Sequence, residues 1–221
     1  MGRKNISQEK IIQAFLASAF EKSAGATSLS DIAEYLEIKK ASLYNHFQSR
    51  DAMYDATVYH CGKCIEKISF LPEKTLENLK TNKSTASQIF KKLITRYFEI
   101  YDSEPLFQVY TFIHTEQYFN VEALQIVEKE IKKNNEEITI ILKNLMEVNK
   151  IPQKTEKEIK ELANSLTSVI LQQRDFYIAT RKETIRQNPD CGAGSLFALP
   201  TDQKALTNAG KLVENLLKII E

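Results

Sequence analysis

The stretch from Lys39 to Arg50 is dense in side chains that donate directed hydrogen bonds or carry positive charge: Lys39, Lys40, Ser42, Tyr44, Asn45, His46 and Arg50. Lys and Arg meet phosphates or guanine, Asn pairs with adenine, and Ser, Tyr and His bond to phosphate oxygens. Taken singly, each is an ordinary solvated side chain. Grouped on one short helix, the first six make a surface that fits a major groove.

A second constellation is His60-Cys61-Gly62-Lys63-Cys64. In a helix, Cys61 and Cys64 fall at i, i+3 on one face, so two thiolates there would form a redox pair or share a metal. A zinc site wants about four ligands, and no second close pair exists in the chain. Buried or neutral thiols are the plainer reading, and no metal or cofactor is expected. On a straight helix His60 points away from the two cysteines, with His114 and Cys191 as more distant partners.

The third feature is aromatic. Tyr97, Phe98, Tyr101, Phe107, Tyr110, Phe112, Tyr118 and Phe119 put eight of twenty aromatics between positions 97 and 119. Most belong to a core. With His114 and the polar run Gln172-Gln173-Arg174-Asp175, the region also offers an apolar pocket with few polar groups, suited to a small organic effector. Tyr97, Tyr101, Tyr110, His114, Tyr118 and Gln173 are its candidate contacts. Catalytic patterns are missing: the glycines fit no phosphate loop, and the histidines form no His-Glu-x-x-His pair. No catalytic residues are assigned and an enzyme is not expected.

These side chains need helices to place them. Ser7 caps a first helix whose apolar stripe is Ile11, Ile12, Phe15, Leu16, Ala19 and Phe20, with Gly25 suited to a left-handed stop. Ser28 caps a short helix to about Leu36, and a second short helix runs from about Lys40 to Phe47. Two short helices across a tight turn, within a cluster of three, read as a helix-turn-helix. Ser49 starts a longer helix predicted to reach about Phe70. Residues 73–85 are polar, and further helices are predicted over about 86–102, 105–118, 121–149, 154–187 and 201–220. Pro105, Pro152 and Pro200 stand near helix starts, which Pro tolerates. Residues 187–195 form the one clear loop. The fold is therefore all-α, with about nine helices.

The two last helices are strongly periodic. Leu166, Val169 and Phe176, with Leu206, Val213 and Leu216, lie on stripes that serve equally as internal core or as a four-helix seam with a second copy.

The pattern Ala33-x-x-Leu36, Ala41-Ser42-Leu43-Tyr44-x-His46-Phe47, Arg50-x-x-Met53 resembles the DNA-binding signature of TetR-type transcriptional regulators, over roughly residues 7–60. The resemblance implies a homodimer, with a helix-turn-helix domain over residues 1–50 and a helical effector-binding and dimerisation domain over 51–221. It implies a ligand-responsive repressor of a near-palindromic double-stranded operator, with a small-molecule effector of unknown identity. Ser28 and Arg50 would meet phosphate, and Lys39, Lys40, Ser42, Tyr44, Asn45 and His46 would serve the recognition element. One departure stands out: the turn position usually held by Gly is Glu37. Two alternatives remain open, the same fold with Cys61 and Cys64 as a redox or metal sensor, and a helical interaction module without DNA binding.

Composition sets wider bounds. The chain has 221 residues, is 43% hydrophobic and carries a formal net charge of +1. Near-neutrality places any DNA affinity in the distribution of charge, not its sum. Residues 1–50 hold seven Lys/Arg against five Asp/Glu, and Arg3 and Lys4 could extend this as a basic arm. Three cysteines argue against a disulfide framework. No apolar run approaches the roughly 18 residues of a membrane helix, and no signal peptide is visible, so the expected location is the cytoplasm, without membrane association.

Overall fold

In a computed structural model, which describes residues 6–81, 83–187 and 201–218, the described secondary structure is entirely helical. The α-helices are α1 Gln8–Lys22, α2 Leu29–Tyr35, α3 Arg50–Glu66, α4 Thr75–Thr81, α5 Ala86–Glu99, α6 Leu106–Glu116, α7 Val121–Glu147, α8 Glu156–Gln187 and α9 Gln203–Lys218. Two 3-10 segments, Lys40–Asn45 and Ile100–Asp102, lie among them. Nine α-helices are described, but not the nine expected: the segment over residues 40–45 is 3-10, and α4 falls within residues 73–85, where no helix is predicted. Arg3, Lys4, Cys191, Pro200, Ile220 and almost all of the loop over residues 187–195 lie outside them.

The chain packs as two compact units. One runs through Lys67 and takes in Pro105–Glu128; the other is Ile68–Glu104 with the chain from Lys129 onward. The packing thus does not part at residue 50. Met53, Val58, Cys61 and Ile65 of α3, and Val109, Phe112 and Ile113 of α6, share one core with Ile11, Phe15 and Leu16 of α1 and Ile32 and Leu43 of the helix-turn-helix. Three short helices alone bury too little apolar surface to hold themselves, so α3 and α6 complete the first unit. Gly62 allows a close approach there: a Cβ at this position would stand 2.8 Å from the Ile126 side chain.

Helix starts follow the sequence closely. Ser7, Ser28, Ser49 and Thr85 each accept a backbone N–H two or three residues into the helix they begin, relieving an otherwise unsatisfied donor. Helix ends depart from expectation. After α1 the left-handed residue is Ser23, with φ 86°, and not Gly25. Helix α3 stops at Glu66, short of Phe70. In the second unit the Glu137 carboxylate accepts from the N–H groups of Phe70 at 2.7 Å and Leu71 at 3.2 Å, and Arg96 donates to the Ser69 carbonyl. These bonds hold that segment as a turn, with Phe70 fully buried against Phe90 and Tyr97.

In the second unit α5 packs on α8 and α9. Its core contains an ion pair: Arg174 meets Glu130, and Tyr97 and Tyr101 surround the guanidinium. Beside α5, Arg181 reaches Asp102 at 2.7 Å, and Tyr177 donates to the same carboxylate at 2.6 Å.

Candidate nucleic-acid interface

The turn between α2 and the 3-10 segment is built by backbone hydrogen bonds. Glu37 N–H donates to Glu34 O and Ile38 N–H to Ala33 O, each at 2.9 Å. This is a Schellman motif, which requires a left-handed residue at its C′ position. That residue is Glu37, with φ 53°. The departure from Gly therefore leaves the turn in its usual form, at a steric cost of about 1–2 kcal/mol.

Ser28 and Asp31 form a reciprocal capping box at the start of α2: Asp31 N–H donates to Ser28 Oγ at 3.3 Å, and Ser28 N–H to Asp31 Oδ2 at 2.7 Å. Asp31 also pairs with Lys22 at 2.6 Å. Hydrogen bonding from Lys22, then from the Ser28 backbone and side chain, lowers its pKa to about 2.

The recognition segment is 3-10 and not α-helical. Leu43 and Phe47 are buried and anchor it in the first unit's core. Lys39, Lys40, Tyr44 and Asn45 are exposed, while Ser42 and His46 are half-buried. Tyr44 is an unusual surface residue, a large aromatic 52% exposed. Gln8 of α1 donates to the His46 carbonyl at 3.0 Å, which fixes the end of the segment. Nothing in the residue pattern marks Gln8 for that role.

Arg50 has a different place from the one expected. Its Nε donates to Thr27 O at 2.8 Å, and its Nη2 donates to Ala24 O. The guanidinium lies 5.5 Å from the Phe15 ring centre. It straps the loop before α2 to the start of α3 through these two bonds, while Nη1 faces Asp51 at 3.6 Å.

The remaining candidates are dispersed. Of the six proposed effector contacts, Tyr97, Tyr101 and Gln173 belong to the second unit and Tyr110, His114 and Tyr118 to the first. Tyr97 donates or accepts within the buried Arg174–Glu130 group, and Tyr101 donates to Glu130 at 3.1 Å. Tyr110 is buried and stacks on His114 at 4.0 Å, whereas Tyr118 is 79% exposed. Within the second unit, a cleft of about 520 Å³ lies on α5, lined by Ser84, Gln88, Lys91, Lys92, Thr95, Arg96 and Glu99.

The seam residues divide as well. Leu166, Leu206 and Val213 are buried within their own unit, so little of their apolar surface is left for a seam. Val169 and Leu216 are half-buried, and Phe176 is 62% exposed. The plainer expectation for the thiols, buried or neutral groups, holds at Cys61. Cys61 is fully buried, and desolvation pushes its pKa well above the ordinary thiol value. That disfavours the thiolate a redox pair needs. The partner of Cys64 is His60, with Sγ 3.6 Å from Nε2. The i, i+4 spacing could have found this pair.

This geometry defines the class first: a helix-turn-helix unit on an all-helical body. Residues 11–57 match the family model of bacterial regulatory proteins, tetR family. Over 61 residues, 28% of this chain, the sequence is 43% identical to the biofilm operon icaADBC HTH-type negative transcriptional regulator IcaR of Staphylococcus aureus, in strains Newman and COL among others. The match spans 33% of that regulator, so the chain aligns with about a third of the curated relatives' length. Solved structures are similar across nearly the whole chain. A protein of Mesorhizobium loti assigned to the TetR family gives a TM-score of 0.61 at 15% identity, covering 96% of this chain and 95% of its own. A TetR transcription regulator of Haloarcula marismortui gives 0.58 at 10%, covering 96% and 97%. FadR of Bacillus subtilis, in complex with stearoyl-CoA, gives 0.51 at 15%, covering 96% and 99%. The N-terminal segment thus matches the tetR family of bacterial regulatory proteins, and the whole chain has the all-α fold seen in TetR-family structures.

Proposed function

We propose that this chain is a cytoplasmic, homodimeric transcriptional repressor that reads a near-palindromic operator and releases it on binding a small organic effector. The observation that carries the reading is the exposed face of Lys39, Lys40, Tyr44 and Asn45, held rigidly by buried Leu43 and Phe47. Residues 1–50 make the DNA contacts in this reading, and the helices from residue 51 onward dimerise and bind effector. Lys39 and Lys40 meet phosphate, Tyr44 and Asn45 reach the groove, and the exposed Ser28 hydroxyl at the cap of α2 meets a backbone oxygen.

The sign of regulation rests on the likeness to a negative regulator over the DNA-binding segment. The dimer rests on Phe176, exposed on α8, and Leu212, 43% exposed on α9. Two recognition segments would then sit about 34–36 Å apart on successive major grooves. An effector that binds a state with another spacing weakens DNA binding by its difference in affinity for the two states. Binding of the full chain to genomic fragments, read by gel shift at stated salt, tests this. One preferred sequence supports the reading. Sequence-independent or absent binding by a monomer would point to a helical interaction module.

A further inference from the structure

The His60–Cys64 pair on α3 is unused by the DNA-binding reading, and the inference below does not depend on that reading. Both side chains are half-buried on one side of the helix, at i and i+4. Their donor atoms, Nε2 and Sγ, are 3.6 Å apart. A tetrahedral zinc ion, with bonds of about 2.3 Å to thiolate and about 2.0–2.1 Å to imidazole, spans about 3.6 Å between two such donors. The free pair is therefore already at the separation that a shared metal imposes, so little side-chain ordering remains to be done on binding.

We propose that His60 and Cys64 form a bidentate chelate for a borderline-soft divalent cation of the zinc type. A thiolate with an imidazole selects such ions over magnesium or calcium, which take oxygen ligands. On binding, the Cys64 thiol gives its proton to solvent and Sγ and Nε2 each donate an electron pair to the metal. Among the described residues no cluster of three His, Cys, Asp or Glu suited to a metal exists, so the remaining positions go to water or to a ligand from solution. Cys61, fully buried on the core side, takes no part. The bound ion clips the last turns of α3, the helix whose first residue, Arg50, is bonded to the loop before α2.

Cobalt(II) titration of the full chain in a Cys191→Ser background tests the site through the thiolate-to-cobalt absorption in the near ultraviolet. A saturable band, displaced by zinc and retained in Cys61→Ala, is expected. Cys64→Ser should abolish the band, and His60→Gln should shift its saturation at least tenfold to higher cobalt. No saturable band, a band that survives Cys64→Ser, or unchanged saturation in His60→Gln overturns the proposal. Alkylation gives an independent reading without substitution at either ligand. Zinc is expected to shield Cys64 from a thiol reagent, and equal labelling with and without zinc contradicts the site.

Discussion

The phenol of Tyr54 donates a 2.7 Å hydrogen bond to Glu116 Oε2, joining α3 to α6 inside the first unit. Around it, Phe15, Tyr54 and Phe112 meet edge-on or tilted, with ring centres 5.9–6.3 Å apart. The bond satisfies a carboxylate that is only 8% exposed. Tyr54→Phe keeps the ring and leaves that carboxylate short of a donor, which costs about 1–3 kcal/mol. Urea denaturation of the full chain is expected to show a lower midpoint with an unchanged slope, since the area exposed on unfolding is the same.

Arg50→Leu separates a strap from a phosphate contact. The strap role predicts a loss of about 2 kcal/mol or more in stability, because buried carbonyl partners at Thr27 and Ala24 lose charged donors. It also leaves the salt dependence of DNA binding unchanged. A phosphate contact would instead reduce the log–log salt slope of the dimer by about 1.8, about 0.9 for each subunit's Arg50. Measuring both on one variant decides between them.

Glu37→Gly relieves the left-handed strain in the turn. The gain of about 1–2 kcal/mol is partly offset by the greater freedom of Gly in the unfolded chain, so a net stabilisation of up to about 1 kcal/mol is expected in thermal or urea unfolding. DNA affinity should hold, because the turn already has the conformation Gly would adopt.

Much of this was legible in the residues, for physical reasons. Caps declare themselves locally: Ser7, Ser28 and Ser49 precede apolar stripes, and each one starts its helix. The helix-turn-helix could be read because Ala33, Leu36, Leu43 and Phe47 must be apolar at fixed spacing to close the turn on its core. What could not be read depends on which helix lies opposite. The periodicity of Leu166, Leu206 and Val213 is the same whether their own unit or a second copy covers them. The polar atoms of Tyr97 and Tyr101 look like pocket groups until Glu130 and Arg174 are seen to use them. Arg50 reads as a phosphate ligand because its carbonyl partners at Ala24 and Thr27 are main-chain groups, which leave no trace in side-chain identity.

Alkaline titration probes the buried phenols. Burial is the largest cause that raises the pKa of Tyr54, Tyr97, Tyr101 and Tyr177, and Glu116 and Asp102 add to it at Tyr54 and Tyr177. A folded-state pKa above the unfolded value of about 10 contributes stability that is complete below that pH and lost as pH rises through the folded value. Phenolate absorbance of the native chain should therefore develop in two stages, with these four tyrosines ionising late and together with unfolding. Simple titration of all nine tyrosines near pH 10 would contradict their burial.

The central claim is that a few exposed side chains on one 3-10 segment read a DNA sequence, and selection of bound fragments from random duplex DNA tests it most directly. The full chain is expected to enrich one near-palindromic site with half-sites about one helical turn apart. Tyr44→Ala and Lys40→Ala should each lose that enrichment while unfolding as the parent does. Enrichment that is absent in the parent, or unchanged in both variants, would contradict the account.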